Sequence, residues 1–338
     1  MQRCIKLAEK GLGKTFPNPL VGSVIVYKDN IIGEGWHQKA GNSHAETNAI
    51  SNVQNKEFLS KSTLYVSLEP CNHFGKTPPC SDLIIKNKIP RVVIASTDPN
   101  PLVTGKGIEK LKKAGCEVLI GILKKEADFL NRRFFTFHNL KRPYIILKWA
   151  QTKNNFIAPI QKKTDNPEIF WITNNHSRQR VHKWRSEEAA ILVGVQTVIN
   201  DNPELTTREW TGNNPLRIVI DPNRRTPKNS KLFQDNIPTL FFTKDPIQLL
   251  PNKKEQKIVS PFSIKNILKE CYKLKIQSII IEGGLRTLEY FIKDNLWDEA
   301  RVFKTEKKIK TGIMAPEFKK ISNQTEIYEG DILDIYFN

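Results

Sequence analysis

Three residues in the first quarter of the chain have the types and order of a metal centre: His44 in HAETNAI, and Cys71 and Cys80 at the two ends of CNHFGKTPPC. Zinc accepts imidazole and thiolate together, and a catalytic site holds it with three protein ligands and keeps the fourth position for water. Glu46 follows His44 by two residues, which makes it an awkward fellow ligand on a helix but places it within reach of that water as a proton shuttle. The LEP before Cys71 sets it just past a strand end, and Pro78-Pro79 set Cys80 at a helix start, where N-terminal dipoles favour thiolate. A closed structural site would want a fourth ligand nearby. His73 is the candidate, and its place two residues after Cys71 suits a substrate contact better.

The elements that must position these groups are legible in the hydrophobic pattern. RCIKLAEKGL is amphipathic, VGSVIVYKDNIIGEGWH reads as a hairpin turning at Lys28-Asp29-Asn30, and HAETNAISNV is helical. TLYVSL, RVVIAST and CEVLIG then alternate with helices from CSDLIIKNK and GIEKLKKAG, the mark of a layered α/β domain. ADFLNRRFFTFHNL continues as one helix that KRPY breaks, so a domain boundary is expected near Lys141–Pro143, dividing 1–142 from 143–338. Alternation resumes with YIILKWAQ, AAILVGV, LRIVID, TLFFT, KIVS, the helix IKNILKECYKLK, SIIIEGG, the helix TLEYFIKDNL, and EARVFK. The stretch from Pro222 to Lys257, rich in proline, asparagine and lysine, is expected to form mainly surface loops. No internal repeat makes the halves copies of each other.

Composition bounds the setting. At 338 residues the chain has room for two domains. No stretch approaches the roughly 20 apolar residues of a membrane span, and the N-terminus lacks the apolar run of a signal peptide. A cytoplasmic protein with no membrane partner is expected. Five scattered cysteines, an odd number, argue against a disulfide framework and leave the close pair as ligands. The net charge of +18 attracts polyanions in general, yet lysine is spread evenly and no block of five like charges occurs, so a nucleic-acid partner is not expected.

The second half shows no further metal cluster and no GxGxxG after its first strand. It does have two strands that run into glycine and then a helix: LVGVQTVINDNPELTTR and IIIEGGLRT. Glycines there admit the close approach of a phosphate, with a helix N-terminus behind; two ordinary strand-to-helix turns would read the same way.

Zinc nucleobase deaminases divide labour as the first site suggests, with the H-x-E glutamate moving protons. More narrowly, PNPLVGSVIV, GEGWHQKAGNSHAE, LEPCNHFGKTPPC and DPNP resemble the deaminase half of the bifunctional deaminase/reductases of riboflavin biosynthesis. The eight-residue insert between the cysteines separates that family from the nucleoside and tRNA deaminases, whose pair is usually C-x-x-C. WIT, HKWRSEEAAILVGVQTV, DNPELTTR and EGG match its reductase half, so the resemblance spans nearly the whole chain. It implies a cytidine-deaminase-like three-layer α/β/α domain followed by a dihydrofolate-reductase-like α/β domain. It also implies one Zn2+ and NADPH as cofactors, phosphorylated pyrimidines as substrates, and a homo-oligomer.

The resemblance carries roles residue by residue. Glu46 is the catalytic acid/base and His44, Cys71 and Cys80 are the ligands; Asn18, His37, His73, Lys76 and Asn100 bind the first substrate. Lys148, Thr173, Arg185, Asp201, Leu205, Arg208 and Glu282 line the reductase substrate side, the arginines suiting a 5′-phosphate. Thr152, Gly194, Thr197 and Gly283 fall on the cofactor side. Two departures stand out. After LKWAQT the family usually carries Asp-Gly, where this chain has Asn154-Asn155; asparagine tolerates the left-handed conformation, so the turn is expected to survive without its carboxylate. Asn202 follows Asp201 where many relatives have a second aspartate. Two rival readings are a deaminase with a silent reductase domain and an RNA or nucleoside deaminase with a basic C-terminal domain. The FGKTPP insert and the EGG and DNPELT motifs count against the latter.

Overall fold

The computed structural model describes residues 1–72, 78–100, 103–160, 170–246, 250 and 253–338. They form two compact units, Met1–Lys141 and Arg142–Asn338.

The first unit opens with α1 (Gln2–Glu9), which buries Cys4, Leu7 and Ala8 at helical spacing. β1 (Gly22–Tyr27) and β2 (Asn30–Trp36) make the expected hairpin, and Lys28 and Asp29 take φ of 45° and 63°, the left-handed pair that a two-residue turn requires. There follow α2 (Ala45–Ser51), a 3-10 turn (Lys56–Lys61), β3 (Thr63–Leu68), α3 (Cys80–Lys86), β4 (Arg91–Ser96), α4 (Lys106–Lys113) and β5 (Glu117–Ile120). The sheet order is β2-β1-β3-β4-β5, with β3, β4 and β5 parallel. Alternation along β1 sends Ile25 to a core shared with Ala49, Ile84 and Leu111 of α2, α3 and α4, while Val24 meets Cys4 and Leu7 of α1. Both faces are therefore covered by helices.

The helix expected over ADFLNRRFFTFHNL is two helices, α5 (Lys124–Leu130) and α6 (Arg132–Leu140), parted at Asn131. The Asn131 side chain accepts from the Leu20 amide and donates to the Leu20 carbonyl, both at 2.8 Å. That tertiary pair, invisible to periodicity, takes the residue out of the helix.

The second unit comprises β6 (Tyr144–Gln151), β7 (Phe156–Pro159), α7 (Asn175–Glu187), β8 (Ala190–Gly194), α8 (Val195–Asp201), β9 (Leu216–Ile220), α9 (Lys231–Gln234), β10 (Thr239–Thr243) and β11 (Lys254–Ile258). α10 (Ile264–Lys273), β12 (Ser278–Ile281), α11 (Leu285–Lys293), β13 (Glu299–Lys304), β14 (Gly312–Met314), β15 (Gln324–Tyr328) and β16 (Asp331–Phe337) complete it. Nine strands form one sheet in the order β11-β10-β9-β8-β12-β6-β13-β16-β15, parallel from β11 to β13 and antiparallel beyond; β7 and β14 pair separately. Ile145, Leu147 and Ile281 face one core with α10 and α11, and Ile146, Val193 and Ile280 face the other with Val181 and Trp184 of α7.

Within Pro222–Lys257 the TLFFT run forms β10 as read, every residue of it buried, and the stretch departs from surface loop in also containing α9. β11 likewise starts at Lys254, ahead of the KIVS run. Lys254 and Arg217 extend inward and share Asp235 at 3.2 and 2.6 Å, so charges that read as surface are paired inside. Among the described residues no helix is long and apolar enough to cross a membrane.

Candidate active sites

α2 begins where the HAE motif places it. His44 is its N-cap residue with extended backbone, and Glu46 lies in the first turn, only 3% exposed. Cys71 follows the end of β3, and Cys80 is the first residue of α3. The Cys71 and Cys80 sulfurs lie 3.4 and 3.3 Å from the same imidazole nitrogen, His44 Nδ1, and the three donor atoms fall within 4.8 Å of one another. The Cys80 amide, at the N-terminus of α3, donates to Cys71 Sγ at 3.3 Å. The N-terminus of α3 thus serves Cys71, while the hydrogen bond to Cys71 and burial push the Cys80 thiol well above its ordinary range. Hydrogen bonds from Cys80, with a further one from His44, hold the Cys71 thiol well below its ordinary range despite burial, making it the readier thiolate. One imidazole, one thiolate and a second thiol at this spacing fit zinc. Burial above all, and then the nearby Cys71, push the Glu46 carboxyl up to about 7.

Two of the expected substrate residues sit against this centre. His37 packs edge-on to His44 with ring centroids 5.6 Å apart. Its Nδ1 is 3.1 Å from the Ser43 carbonyl, so Nδ1 carries the proton and Nε2 accepts from Asn18 Nδ2 at 3.0 Å. Asn100 lies in the loop after β4, its amide donating to Asp98 Oδ1 at 2.8 Å. His73 and Lys76 lie outside the described residues. Sequence reasoning missed the residues that hold these in place. Asn48 donates to the Trp36 and Ser43 carbonyls beside His37 and His44, and Asn131 fixes Leu20 next to the Asn18 segment. An asparagine one helical turn beyond His44 is a usable signal; Asn131 gives none.

In the second unit the structure brings Lys148, Arg185 and Glu282 together. Arg185 Nε and Nη2 clasp the two Glu282 oxygens at 2.8 and 2.7 Å, its Nη1 donates to the Thr206 carbonyl at 3.0 Å, and Lys148 Nζ stands 3.8 Å from Glu282. Burial pushes the Glu282 carboxyl upward, but Arg185 and Lys148 outweigh it and hold the group down at about 2. His182, one turn before Arg185 on α7, is pushed down to about 4 by burial and by Arg185 and Arg208. Leu205 is buried in the loop after α8 with φ of 55°, a left-handed geometry that is costly for leucine and of the kind stored at working sites. Arg208 and Asp201 are exposed, and Thr173 is buried just ahead of α7.

Beside this cluster β8 ends in Gly194 and β12 runs through Glu282 into Gly283, and the Gly194 amide donates to the Gly283 carbonyl at 3.1 Å. A Cβ on Gly194 would meet Thr287 Oγ1 at 2.6 Å, and one on Gly284 would meet Thr197 Oγ1 at 3.2 Å. Gly283 has φ of 136° and the Gly283–Gly284 peptide is cis. Gly194 and Gly284 line a cleft of about 1120 Å3 that also presents Arg225, Lys244, Arg286 and Lys293. A glycine-walled, cation-rimmed cleft at the ends of parallel strands fits a dinucleotide with its phosphates. Of the four residues expected on the cofactor side only Gly194 lines the cleft; Gly283 and Thr197 lie next to it, a Cβ on Gly283 falling 3.5 Å from Thr197 Oγ1, and the Thr152 hydroxyl donates to Asn154 and accepts from the Phe156 amide within the β6–β7 turn.

Comparison with known proteins decides the family. Residues 1–96 match the model of the cytidine and deoxycytidylate deaminase zinc-binding region, and residues 143–305 match that of the RibD C-terminal domain. The riboflavin biosynthesis protein RibD of Aquifex aeolicus is 44% identical, over 90% of this chain and 85% of that protein. The chain belongs to the RibD family. The Escherichia coli member is 34% identical over 90% of this chain and 86% of its own length. A crystal structure of the deaminase/reductase from Thermotoga maritima superposes with a TM-score of 0.89 at 36% identity, covering 99% of this chain and 96% of that one. Acinetobacter baumannii RibD gives 0.88 at 32% identity, covering 99% and 97%. As in the rest of the family, this chain is a bifunctional enzyme of riboflavin biosynthesis, a zinc-dependent deaminase joined to an NADPH-dependent reductase.

The departures from family pattern are met by local geometry. Asn155 holds φ of 63°, standing in for the usual glycine. Asn154 Oδ1 accepts from Thr152 and from the Ile309 amide, and its Nδ2 donates to the Ile309 carbonyl at 2.7 Å, a bond that a carboxylate has no hydrogen to make. Asn202 ends α8 with φ of 39° and accepts from the Lys231 amide at 2.9 Å.

Proposed function

We propose that residues 1–142 deaminate 2,5-diamino-6-(5-phosphoribosylamino)pyrimidin-4(3H)-one, and that residues 143–338 then reduce the ribosyl side chain of the product to ribityl. The Thermotoga maritima relative is a diaminohydroxyphosphoribosylaminopyrimidine deaminase and 5-amino-6-(5-phosphoribosylamino)uracil reductase, the corresponding pair of activities. The observation that carries the reading is the juxtaposition of buried Glu46 with the His44, Cys71 and Cys80 donors, in a chain whose other unit carries the Lys148–Glu282–Arg185 cluster and the glycine-walled cleft.

His44, Cys71 and Cys80 would hold the zinc, which when bound would supply the Lewis acidity that makes water a nucleophile near neutral pH. Glu46 takes the proton of the attacking water at its carboxylate and delivers it to the departing 2-amino group, so that ammonia leaves and a carbonyl remains. Its burial keeps that proton from bulk solvent. Asn18, hydrogen-bonded to His37, reads the edge of the pyrimidine; Asn100, His73 and Lys76 complete the contacts, with Lys76 meeting phosphate as a point charge.

In the second unit NADPH, when bound, would supply a hydride for C1′ of the ring-opened imine, whose nitrogen takes up a proton. Gly194, Thr197, Gly283 and Thr152 are assigned to the cofactor side, with support strongest for the three that meet at the strand ends. Lys148 and Glu282 offer one donor and one acceptor to the open sugar chain, within a substrate side completed by Thr173, Asp201 and Leu205. Arg185 commits much of its fork to Glu282, which leaves exposed Arg208 as the freer partner for the 5′-phosphate. A reducing, cytoplasmic setting suits the ligand thiols, and family membership supports a homo-oligomer.

The test has two arms. Purified protein given the diamino substrate should release ammonia, and E46Q should lose that activity while keeping its zinc. Given the deaminated substrate directly, it should oxidise NADPH without involving the metal site. Ammonia release with no NADPH oxidation from folded protein would leave a deaminase with a silent second unit.

A further inference from the structure

A buried carboxylate that the chemistry above does not use lies two residues before the metal ligand Cys71. Glu69 is 5% exposed, and its oxygens accept four backbone N–H bonds. Oε2 takes those of Asp98 at 3.3 Å and Gly105 at 3.0 Å; Oε1 takes those of Gly107 at 3.1 Å and Ile108 at 3.4 Å. The first two amides stand at opposite ends of the loop between β4 and α4, so a single oxygen clasps the loop shut. The other oxygen fastens the start of α4 to the same point.

Asn100 hangs inside this clasp. Its amide donates to Asp98 Oδ1 at 2.8 Å, and its carbonyl accepts from the Val103 and Thr104 amides and from Thr104 Oγ1, which donates also to the Asp98 carbonyl. On the far side the Glu69 amide donates to the Ser96 carbonyl, and the Cys71 carbonyl accepts from Ser81 in the first turn of α3. Gly107 permits the close fit, since a Cβ there would stand 2.1 Å from the Pro70 carbonyl oxygen. The strand-to-loop segment that delivers Cys71 and the loop that delivers Asn100 are thus joined through one side chain.

We infer that Glu69 is a positioning residue for deamination, setting the Asn100 loop in register with the metal-binding segment. A carboxylate suits this task because both oxygens only accept; an amide in its place would turn a donor toward two N–H groups. The inference rests on the reading of Asn100 as a substrate contact of the first site.

The experiment uses the full chain, whose second unit serves as internal control. E69Q should raise the deaminase KM for the diamino substrate about tenfold, as expected for a misplaced hydrogen-bonding partner. Zinc content should stay at one per chain, and the rate of NADPH oxidation with the deaminated substrate should not change. N100A should raise the same KM, and E69Q/N100A should add little beyond the larger single effect, because the two changes remove one interaction. Should E69Q fail to accumulate as folded protein, T104V cuts the two hydroxyl bonds at an exposed position and should raise KM about threefold by the same route. A wild-type KM in either variant, additive effects in the double variant, or loss of zinc from E69Q would overturn the inference. Failure of the unaltered chain to release ammonia would instead sink the deaminase reading on which it rests.

Discussion

The two sites solve the problem of buried charge in opposite ways. In the first unit Cys71, the readier thiolate, and Cys80 converge on His44 beside buried Glu46, a donor set that offers negative charge to a metal. In the second, Glu282 is locked between Arg185 and Lys148, and two cations against one carboxylate leave a positive surplus. The donors of the first site fit a metal. The second pairs its charges within the chain, and its cations suit the phosphates of a substrate or a dinucleotide.

The sharpest way to break this comparison is to remove the metal. Chelation, or C80S, should lower the deamination rate by at least about 10³-fold, the several kcal/mol that a Lewis acid contributes. NADPH oxidation with the deaminated substrate should be untouched, and a parallel loss would mean that the sites are not independent. Next comes E282A, which leaves Arg185 and Lys148 facing each other without their carboxylate. Breaking a buried pair in this manner costs about 3–5 kcal/mol, so the second unit should melt earlier and lose reductase activity, while ammonia release persists. Differential scanning calorimetry with both assays checks this.

Acid should separate the units in the same direction. Glu282 sits at about 2 in the fold against an ordinary 4.5, so its contribution is complete above about 4.5 and disappears as pH falls toward 2. His182 sits at about 4 against 6.5, so the unfolded chain binds more protons between those values and stability falls as pH drops from 6.5 to 4. Both effects work together, and the melting temperature of the second unit should decline from pH 7 to pH 4. H182Q should flatten the part of that slope between 6.5 and 4; an unchanged slope would place the titrating group elsewhere.

What the sequence discloses differs between the sites for a physical reason. The metal donors lie on short, local signals: a helix start at His44, a strand end before Cys71, proline before Cys80. Spacing alone therefore points to their roles. The Lys148–Glu282–Arg185 cluster is assembled from β6, the end of β12 and the end of α7, elements far apart in the chain, and in the sequence only family resemblance joins them. Residues that position others are least visible. Asn131 looks like any polar residue on an amphipathic helix, Glu69 like the ordinary prelude to a cysteine, and Arg217 and Lys254 like surface charge. Their partners are backbone groups or distant side chains that hydrophobic periodicity does not encode. Thr152, by contrast, falls on the cofactor side by motif and is found tying its own turn.

The smallest expected effect concerns that turn, and it bears on whether the second site is as self-sufficient as its charges suggest. Asn155 holds φ of 63° and Asn154 donates to the Ile309 carbonyl, at the two positions where the resemblance leads one to expect glycine and aspartate. If the turn merely needs the left-handed conformation, N155G should leave stability within about 0.5 kcal/mol, whereas N155A should cost about 1 kcal/mol because alanine keeps the Cβ but loses the polar side chain that makes asparagine tolerated there and that accepts from Gln151. N154D should cost about 1 kcal/mol by losing one donor to a buried carbonyl. In all three variants the rate of NADPH oxidation should stay within about twofold of the unaltered chain, since none of them touches the ion cluster. A large gain in turnover from the N154D/N155G pair would show instead that the family's aspartate acts in the reaction, and that this chain's asparagines hold its reductase below the family's rate.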